Sequence, residues 1–157
     1  MSKKFRVSKD RWKGTRRRLS NLKKKRIDVG VFEDKQYPPD EQRGTPYVAA
    51  VAAWQNEGVS SVHIPSRPFF TNILDDADNV SKEDAKDIAA TVFDGGKPKL
   101  NSLGDTWVEA LKEEITNYPP PNAPSTVRIK GFDDPLIESG RLRDSISYRE
   151  VGGEKGD

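Results

Sequence analysis

Residues 25–32 read KRIDVGVF, and the apolar residues in this stretch occupy every second position. Successive side chains of a β-strand point to opposite faces, so this alternation is typical of a strand with one buried face. Residues 145–151, SISYREV, show the same alternation near the other end of the chain. A lone strand would leave its backbone groups unpaired. The sequence therefore predicts that residues 27–32 pair with residues 145–151 in one antiparallel or mixed sheet.

The first helix after this strand has clear start and stop signals. Thr45 is a suitable N-cap residue, and Pro46 follows it at the first helical position, where its missing N–H is not needed. Gly58 provides a C-terminal stop. These signals predict a helix over residues 47–57.

Two longer helical regions follow. Apolar residues recur at helical spacing from Phe69 onward, and a second register begins after Ser81, so we expect a break or bend near residues 79–81. A last helix is predicted over residues 102–118, where the prolines at 119–121 end it.

Together these elements predict an α+β fold, with a small antiparallel or mixed sheet packed by three to four helices and preceded by a basic N-terminal arm. We expect residues 1–26 to form the arm, residues 27–151 a single domain, and residues 152–157 a flexible C-terminus. Four large residues that lie on the apolar stripes of their helices are expected to share one core: Trp54, Phe70, Trp107 and Leu111.

The net charge of +2 conceals a strong polarity along the chain. Residues 1–26 contain thirteen Lys or Arg and one acid, Asp10, whereas the rest of the chain has 14 basic and 24 acidic residues. Such an arm is suited to nucleic acid phosphates, to an acidic protein surface or to water, and the sequence leaves these three open. The residues expected to face DNA or a partner are Arg16, Arg17, Arg18, Lys23, Lys24 and Lys25.

The sequence offers little for catalysis. There is no cysteine, and His63 is the single histidine, so neither a nucleophile–base pair nor a histidine-rich metal site is expected. Gly95, Gly96 and Lys97 lack the spacing of a phosphate-binding loop and suit a helix terminus. No run of 18 apolar residues occurs. We therefore expect no enzyme activity, no catalytic, metal or cofactor-binding residues, no cofactor and no membrane partner.

Four phrases carry a resemblance to a known family. They are WQNEG at residues 54–58, IPSRPFF at residues 64–70, NAPST at residues 122–126 and PLIESGRLRDSI at residues 135–146. In this order and spacing the chain, over about residues 27–151, resembles the tail-completion or neck proteins of long-tailed bacteriophages, which are also called virion morphogenesis proteins. The basic arm has no counterpart in that family pattern.

The resemblance implies a structural virion protein without catalysis, which forms a ring in the head–tail connector and joins the DNA-filled head to the tail. The implied assembly is a homo-oligomeric ring of about six or twelve copies. Its expected neighbours are other connector, tail terminator and tail-tube proteins, with non-specific contact to DNA in the lumen. The implied location is the virion neck or tail, after synthesis in the host bacterial cytoplasm. The alternative is a nucleic-acid-binding protein that acts through its basic arm.

Two of these phrases contain candidate subunit-interface residues. The prolines around Arg67 are expected to hold it outward at a stiff corner, although a corner with Arg67 paired to an internal acid is equally consistent. Beyond a turn at Gly140, arginines are placed to bind a neighbouring copy's carboxylates or acids of the same chain. The candidate interface residues are Arg67, Phe69, Glu138, Arg141, Arg143 and Asp144.

Overall fold

The computed structural model describes residues 9–39, 44–119 and 122–152. Within these ranges the chain forms seven α-helices and two strands, which confirms the α+β class. The number of helices is larger than the three to four expected. The additional helices are the helical arm, one half of a divided central helix and two short helices near the C-terminus. The elements are α1 (Lys9–Leu22), β1 (Arg26–Val31), α2 (Val48–Glu57), α3 (Phe69–Asp75), α4 (Ala77–Phe93), α5 (Asn101–Asn117), α6 (Pro124–Lys130), α7 (Arg141–Asp144) and β2 (Ile146–Val151).

The two strands pair as the alternating segments predict. β1 and β2 are antiparallel, with Arg26 opposite Val151 and Val31 opposite Ile146. Helix α5 packs across both strands and lies mainly against β2. The sheet thus joins an early and a late segment of the chain and rests on α5.

The core lies between this sheet and helices α2, α3, α5 and α7. Of the four residues expected to share it, Leu111 is fully buried and Phe70 packs at its margin. Trp107 is only partly buried, and its indole N–H donates to the Ser81 hydroxyl. The prediction for Trp54 is wrong, because 46% of that residue is exposed. The buried cluster consists of Val48, Phe69, Leu111, Ile115, Leu136, Leu142 and Ile146.

Helix α2 begins later than its sequence signals indicate. Its N-cap is Tyr47 in an extended conformation, without a side-chain cap, rather than Thr45. The predicted stop at Gly58 is confirmed, with φ of 77° and a backbone N–H bonded to the Trp54 carbonyl. A Cβ at Gly58 would lie 2.7 Å from the Ser66 backbone nitrogen, so the chain passes too close here for any larger residue.

The break between α3 and α4 falls at Asp76, not at the predicted residues 79–81. Asp76 leaves the helical conformation, and its carboxylate accepts a hydrogen bond from the Asn79 amide at 2.5 Å. The capping pattern at Ser81 therefore lies inside α4 and does not start a new helix.

The described part of the N-terminal arm is helical and packs on the body. Helix α1 lies against α4, where Thr15 is buried and the Arg18 Nε donates to the Val92 carbonyl at 2.9 Å. Residues 1–8 of the arm and residues 153–157 of the predicted flexible C-terminus lie outside the described residues. The predicted arm, residues 1–26, thus contacts the predicted domain, residues 27–151, through α1.

Candidate functional site

Three of the four phrases that carry the family resemblance meet around Arg67. The Arg67 backbone N–H donates to the Gln55 carbonyl at 2.7 Å, and its guanidinium donates to Gln55 Oε1 at 2.6 Å. A second guanidinium nitrogen lies 3.4 Å from Asn122 Oδ1. We call this group, together with Asn56 and Ser66, the Arg67 clasp.

Asn56 connects the end of α2 to the start of α3. Its side-chain oxygen accepts the Phe70 backbone N–H at 3.0 Å, and its carbonyl accepts the Ser66 hydroxyl at 2.7 Å. Two prolines, Pro65 and Pro68, stiffen the corner between these contacts. The clasp therefore fixes the angle between α2 and α3.

Arg67 is turned into this joint and does not point outward as predicted. The side-chain hydrogen bonds of Arg67 go to the amide groups of Gln55 and Asn122 rather than to the internal acid of the alternative interpretation. Burial lowers the pKa of the Arg67 guanidinium because the charged form loses water. Two nitrogens of the Arg67 guanidinium bond to two different residues, Gln55 and Asn122, and so tie α2 to the chain that precedes α6.

Replacing Asn56 by Ala is expected to lower the free energy of unfolding by about 1–3 kcal/mol, because the Phe70 N–H loses its acceptor in a partly buried site. Urea denaturation followed by circular dichroism measures this. Asn79, which is exposed and whose side chain bonds to the nearby Asp76, provides the matched control: its replacement by Ala should cost less than about 1 kcal/mol. Equal losses for the two variants would show that the clasp does not hold the corner.

Phe69 is not available as an interface residue. Only 1% of it is exposed, and its ring packs edge-to-face on Phe70 with centroids 6.3 Å apart. Apolar residues directly after a proline corner can face either solvent or the core, and here α3 directs Phe69 into the core. The prediction that Phe69 contacts a neighbouring copy is therefore wrong.

The remaining candidate interface residues lie around α7. Arg141 Nε donates to the Gln36 carbonyl at 2.7 Å, and Arg143 Nε pairs with Asp144 Oδ1 at 2.9 Å. Burial raises the pKa of Tyr37, and the charge of Glu138 raises it further, while Arg141 opposes the shift. The structure thus brings Glu138 and Arg141 to the same tyrosine.

These α7 contacts favour the intrachain alternative for Arg143, whose partner Asp144 belongs to the same turn. The turn itself forms as predicted, since Gly140 has φ of 75° before the helix. Glu138 and Asp144 are exposed, so both carboxylates still face solvent. An exposed ion pair of this kind contributes little to stability and is easily exchanged for another partner.

The basic residues of the arm divide into two groups. Arg18 is turned toward α4, and Lys25 pairs with Glu150 of β2 at 2.5 Å. The other four predicted residues are exposed and form no ion pair within the described ranges: Arg16, Arg17, Lys23 and Lys24.

One surface stripe of α1 combines these cations with large apolar residues. Trp12, Arg16 and Leu19 follow each other at helical spacing on α1, and Lys23 continues the row in the turn directly after the helix; all four are exposed, with Trp12 at 57%. We call this the α1 stripe. The sequence places Trp12 and Leu19 at helical spacing, and the buried residue of α1 is Thr15 rather than either of them.

A groove between β1 and α2 was not predicted. It has a volume of about 350 Å³, and its walls include the β1 backbone at Val29 and Gly30 and the α2 residues Ala49, Ala52 and Ala53. Alanine at these α2 positions gives the helix a slim face. In the structure their small side chains leave this β1–α2 groove open.

No group of three or more His, Asp or Glu side chains suited to a metal ion occurs among the described residues. Likewise, in residues 9–39, 44–119 and 122–152, no helix has the length and apolar character needed to cross a membrane. Comparisons of the chain with models of protein families, with curated proteins and with solved structures found no match.

Proposed function

We propose that the protein is a non-enzymatic subunit of a bacteriophage head–tail connector, which assembles into a ring through contacts with further copies and with neighbouring connector, tail terminator and tail-tube proteins. The family resemblance of residues 27–151 supports this proposal. So does the distribution of charge, because the basic arm and the acidic body allow two different patches to meet head to tail.

The observation that carries the proposal is the α1 stripe. Trp12 and Leu19 are large apolar residues on a helix that already packs on the body through its other face. Aromatic residues flanked by arginine are enriched at protein interfaces, where the aromatic loses water and the cation finds an acid. A second protein surface that covers the stripe would satisfy both requirements.

Changing Trp12 and Leu19 to Ser is therefore expected to leave the body folded and to reduce head–tail joining by about tenfold or more, since hot-spot residues of this kind dominate binding energy. Joining is measured as infectious particles from separated heads and tails completed by the purified protein. Val62 and Leu74 are 62% and 52% exposed, and their double change to Ser is the matched control, expected to have no effect. Undiminished joining by the Trp12/Leu19 variant would contradict the proposal.

Nucleic acid binding is the second candidate, and the exposed cations Arg16, Arg17, Lys23 and Lys24 favour it. If these four residues each neutralise a phosphate, log affinity for duplex DNA should fall with log salt at a slope of about −4. The expected result under the connector proposal is weak, non-specific binding with this slope.

Changing the four cations to Gln tests the two functions separately. Under the connector proposal this variant binds DNA more weakly and with a smaller salt slope, but still binds its protein partner through Trp12 and Leu19 with reduced affinity. Tight, sequence-specific DNA binding by the unchanged protein would instead support the nucleic-acid-binding alternative.

A further inference from the structure

Helix α2 carries a second exposed row of apolar residues. Tyr47, at the N-cap, and Trp54 lie seven positions apart on the same side of the helix, and 51% and 46% of these residues are exposed. Val51 lies between them and is half-buried, and Glu57 follows one turn after Trp54 and is exposed. We call Tyr47, Val51, Trp54 and Glu57 the α2 stripe.

Another side of α2 is occupied by the body. Val48 is fully buried in the core, and Ala52 packs against the same cluster. Tyr47 and Trp54 keep about half of their surface in water, although aromatic residues bury large areas where a partner covers them. Aromatic residues are enriched at protein interfaces for this reason. The α2 stripe is thus a docking surface on the body, as the α1 stripe is on the arm.

The two stripes match in length and in chemistry. The first and last residues of the α1 stripe, Trp12 and Lys23, are eleven positions apart, and those of the α2 stripe, Tyr47 and Glu57, are ten positions apart. At the rise of a helix both spans are about 15–16 Å. In each stripe two large apolar residues lie seven positions apart and a charged residue follows, which is a lysine in the α1 stripe and a glutamate in the α2 stripe.

The charges of the two helices are complementary. Helix α1 has six basic residues and one acid, whereas α2 has one acid, Glu57, and no basic residue. Glu57 accepts a hydrogen bond from the Asn56 amide at 2.6 Å but forms no ion pair with a cation of the described residues. Parallel packing of the stripes places Lys23 beside Glu57 and Trp12 beside Tyr47. Opposite charges and apolar residues then meet at the same register.

We propose that the α1 stripe of one copy of this chain packs in parallel on the α2 stripe of a second copy. The two stripes do not cover each other within one chain, because both are exposed, and α1 packs on α4 whereas α2 packs on β1, α3 and α7. The complementary surface is present on this same chain, which favours a second copy over an unrelated partner. Each copy donates one stripe and accepts another, so two different patches meet at every contact.

The apolar residues and the ion pair have different roles in this contact. Trp12, Leu19, Tyr47 and Trp54 lose water on packing and supply the affinity. The exposed pair of Lys23 with Glu57 adds little affinity and selects the parallel register. A contact between two helix faces is small beside a standard protein interface, so we expect self-association that depends on protein concentration.

This inference rests on the proposed function only for the role of the assembly, and it identifies the surface that covers the α1 stripe. Self-association is a property of the purified protein. Its test therefore needs no heads or tails, and head–tail joining stays a separate measurement.

Two double variants test the two stripes. Trp12 and Leu19 are changed to Ser in the first, and Tyr47 and Trp54 in the second; all four residues are exposed, so both variants should fold, which circular dichroism checks. Each change should raise the dissociation constant for self-association, measured by sedimentation velocity, by about tenfold or more. Ile129→Ser, at a residue that is 86% exposed and belongs to neither stripe, is the matched control and should associate as the unchanged protein does.

Mixing the two double variants tests whether different patches meet. Each variant keeps one intact stripe, so an equimolar mixture should form a dimer with about the affinity of the unchanged contact. The dimer should not grow, because the stripes that remain free are both defective. Normal self-association by the Tyr47/Trp54 variant would show that α1 stripes pack on each other, and would overturn the inference.

An exchange of charges tests the register without removing any apolar residue. Glu57→Lys and Lys23→Glu should each weaken self-association about threefold at low salt, because like charges then face each other. Both changes in one chain should restore the unchanged affinity. Two weakened single variants whose combination stays weak would overturn parallel packing.

Failure of this inference is distinguishable from failure of the proposed function. If both double variants self-associate normally, or the unchanged protein stays monomeric at the highest concentration reached, the second copy is overturned as the partner. If the Trp12/Leu19 variant then also loses head–tail joining, the α1 stripe binds another connector protein, and the proposed function stands without this contact.

Discussion

Replacing Phe69 by Ala is expected to lower the free energy of unfolding of the isolated subunit by about 3–5 kcal/mol. Phe69 is 1% exposed and packs within the cluster that includes Val48, Leu111 and Ile115. Removing its ring loses the transfer free energy of the side chain and leaves a cavity that a close-packed core fills only in part. Urea denaturation of the monomer at low concentration measures the change.

Phe93 provides the control for this prediction. It is the same residue type at the end of α4, but 55% of it is exposed, so Phe93→Ala should change stability by less than about 1 kcal/mol. If Phe69→Ala kept full stability and instead prevented self-association, Phe69 would be an interface residue after all.

Replacing Gly104 by Ala is expected to lower the free energy of unfolding by about 1–3 kcal/mol, although alanine favours helix by about 1 kcal/mol over glycine. Gly104 is buried in α5 where that helix crosses β2, and a Cβ there would lie 2.5–2.6 Å from ring atoms of Tyr148. One of these atoms is Cγ, which lies on the axis about which the ring turns, so rotation of the ring cannot relieve the overlap. The helix would have to move from the sheet.

Gly14 is the matched control, because it also lies in a helix but a Cβ there would meet only the flexible end of Arg18. Gly14→Ala should be neutral or stabilising by up to about 1 kcal/mol. In a Tyr148→Ala background the cost of Gly104→Ala should disappear, which a double-mutant cycle measures. An unchanged cost in that background would place the strain somewhere other than the Tyr148 ring.

The sheet was predictable because each strand carries its own pattern. Alternation places Ile27, Val29 and Val31 on one face whatever the strand packs against, and just one other segment of the chain, residues 145–151, has the same clear period. The stop of α2 was predictable for a similar local reason, since Gly58 adopts a conformation that disfavours other residues.

The composition of the core was less predictable, because periodicity shows which residues share a face but not what that face contacts. In α2, Val48 is buried, whereas Trp54 lies on a side of the helix that the core does not reach. Phe69 and Phe70 are adjacent, and the proline corner rather than their pattern directs Phe69 inward. The predictions for Trp54 and Phe69 were wrong because the position of each helix on the body decides which of its side chains are buried.

The sequence segments that form the candidate site were predictable, but the contacts between their side chains were not. Gln55, Arg67 and Asn122 lie far apart in the sequence, and no spacing rule indicates that one guanidinium joins them. The β1–α2 groove likewise depends on how far α2 stands from β1. Exposed cations on α1 were easier to anticipate, since charged side chains seldom lose their water without a partner.

The pairing of β1 with β2 also bears on how the chain is made. Lys25 and Glu150, which form an ion pair at one end of the sheet, are 125 residues apart in the sequence. On the ribosome, β1 emerges early and can pair with β2 only after residue 151 has been made, so helices can form before the sheet closes. A polypeptide that stops short of β2 would keep β1 uncovered on both edges. Synthesis of β2 is therefore a natural checkpoint for which molecules become able to assemble.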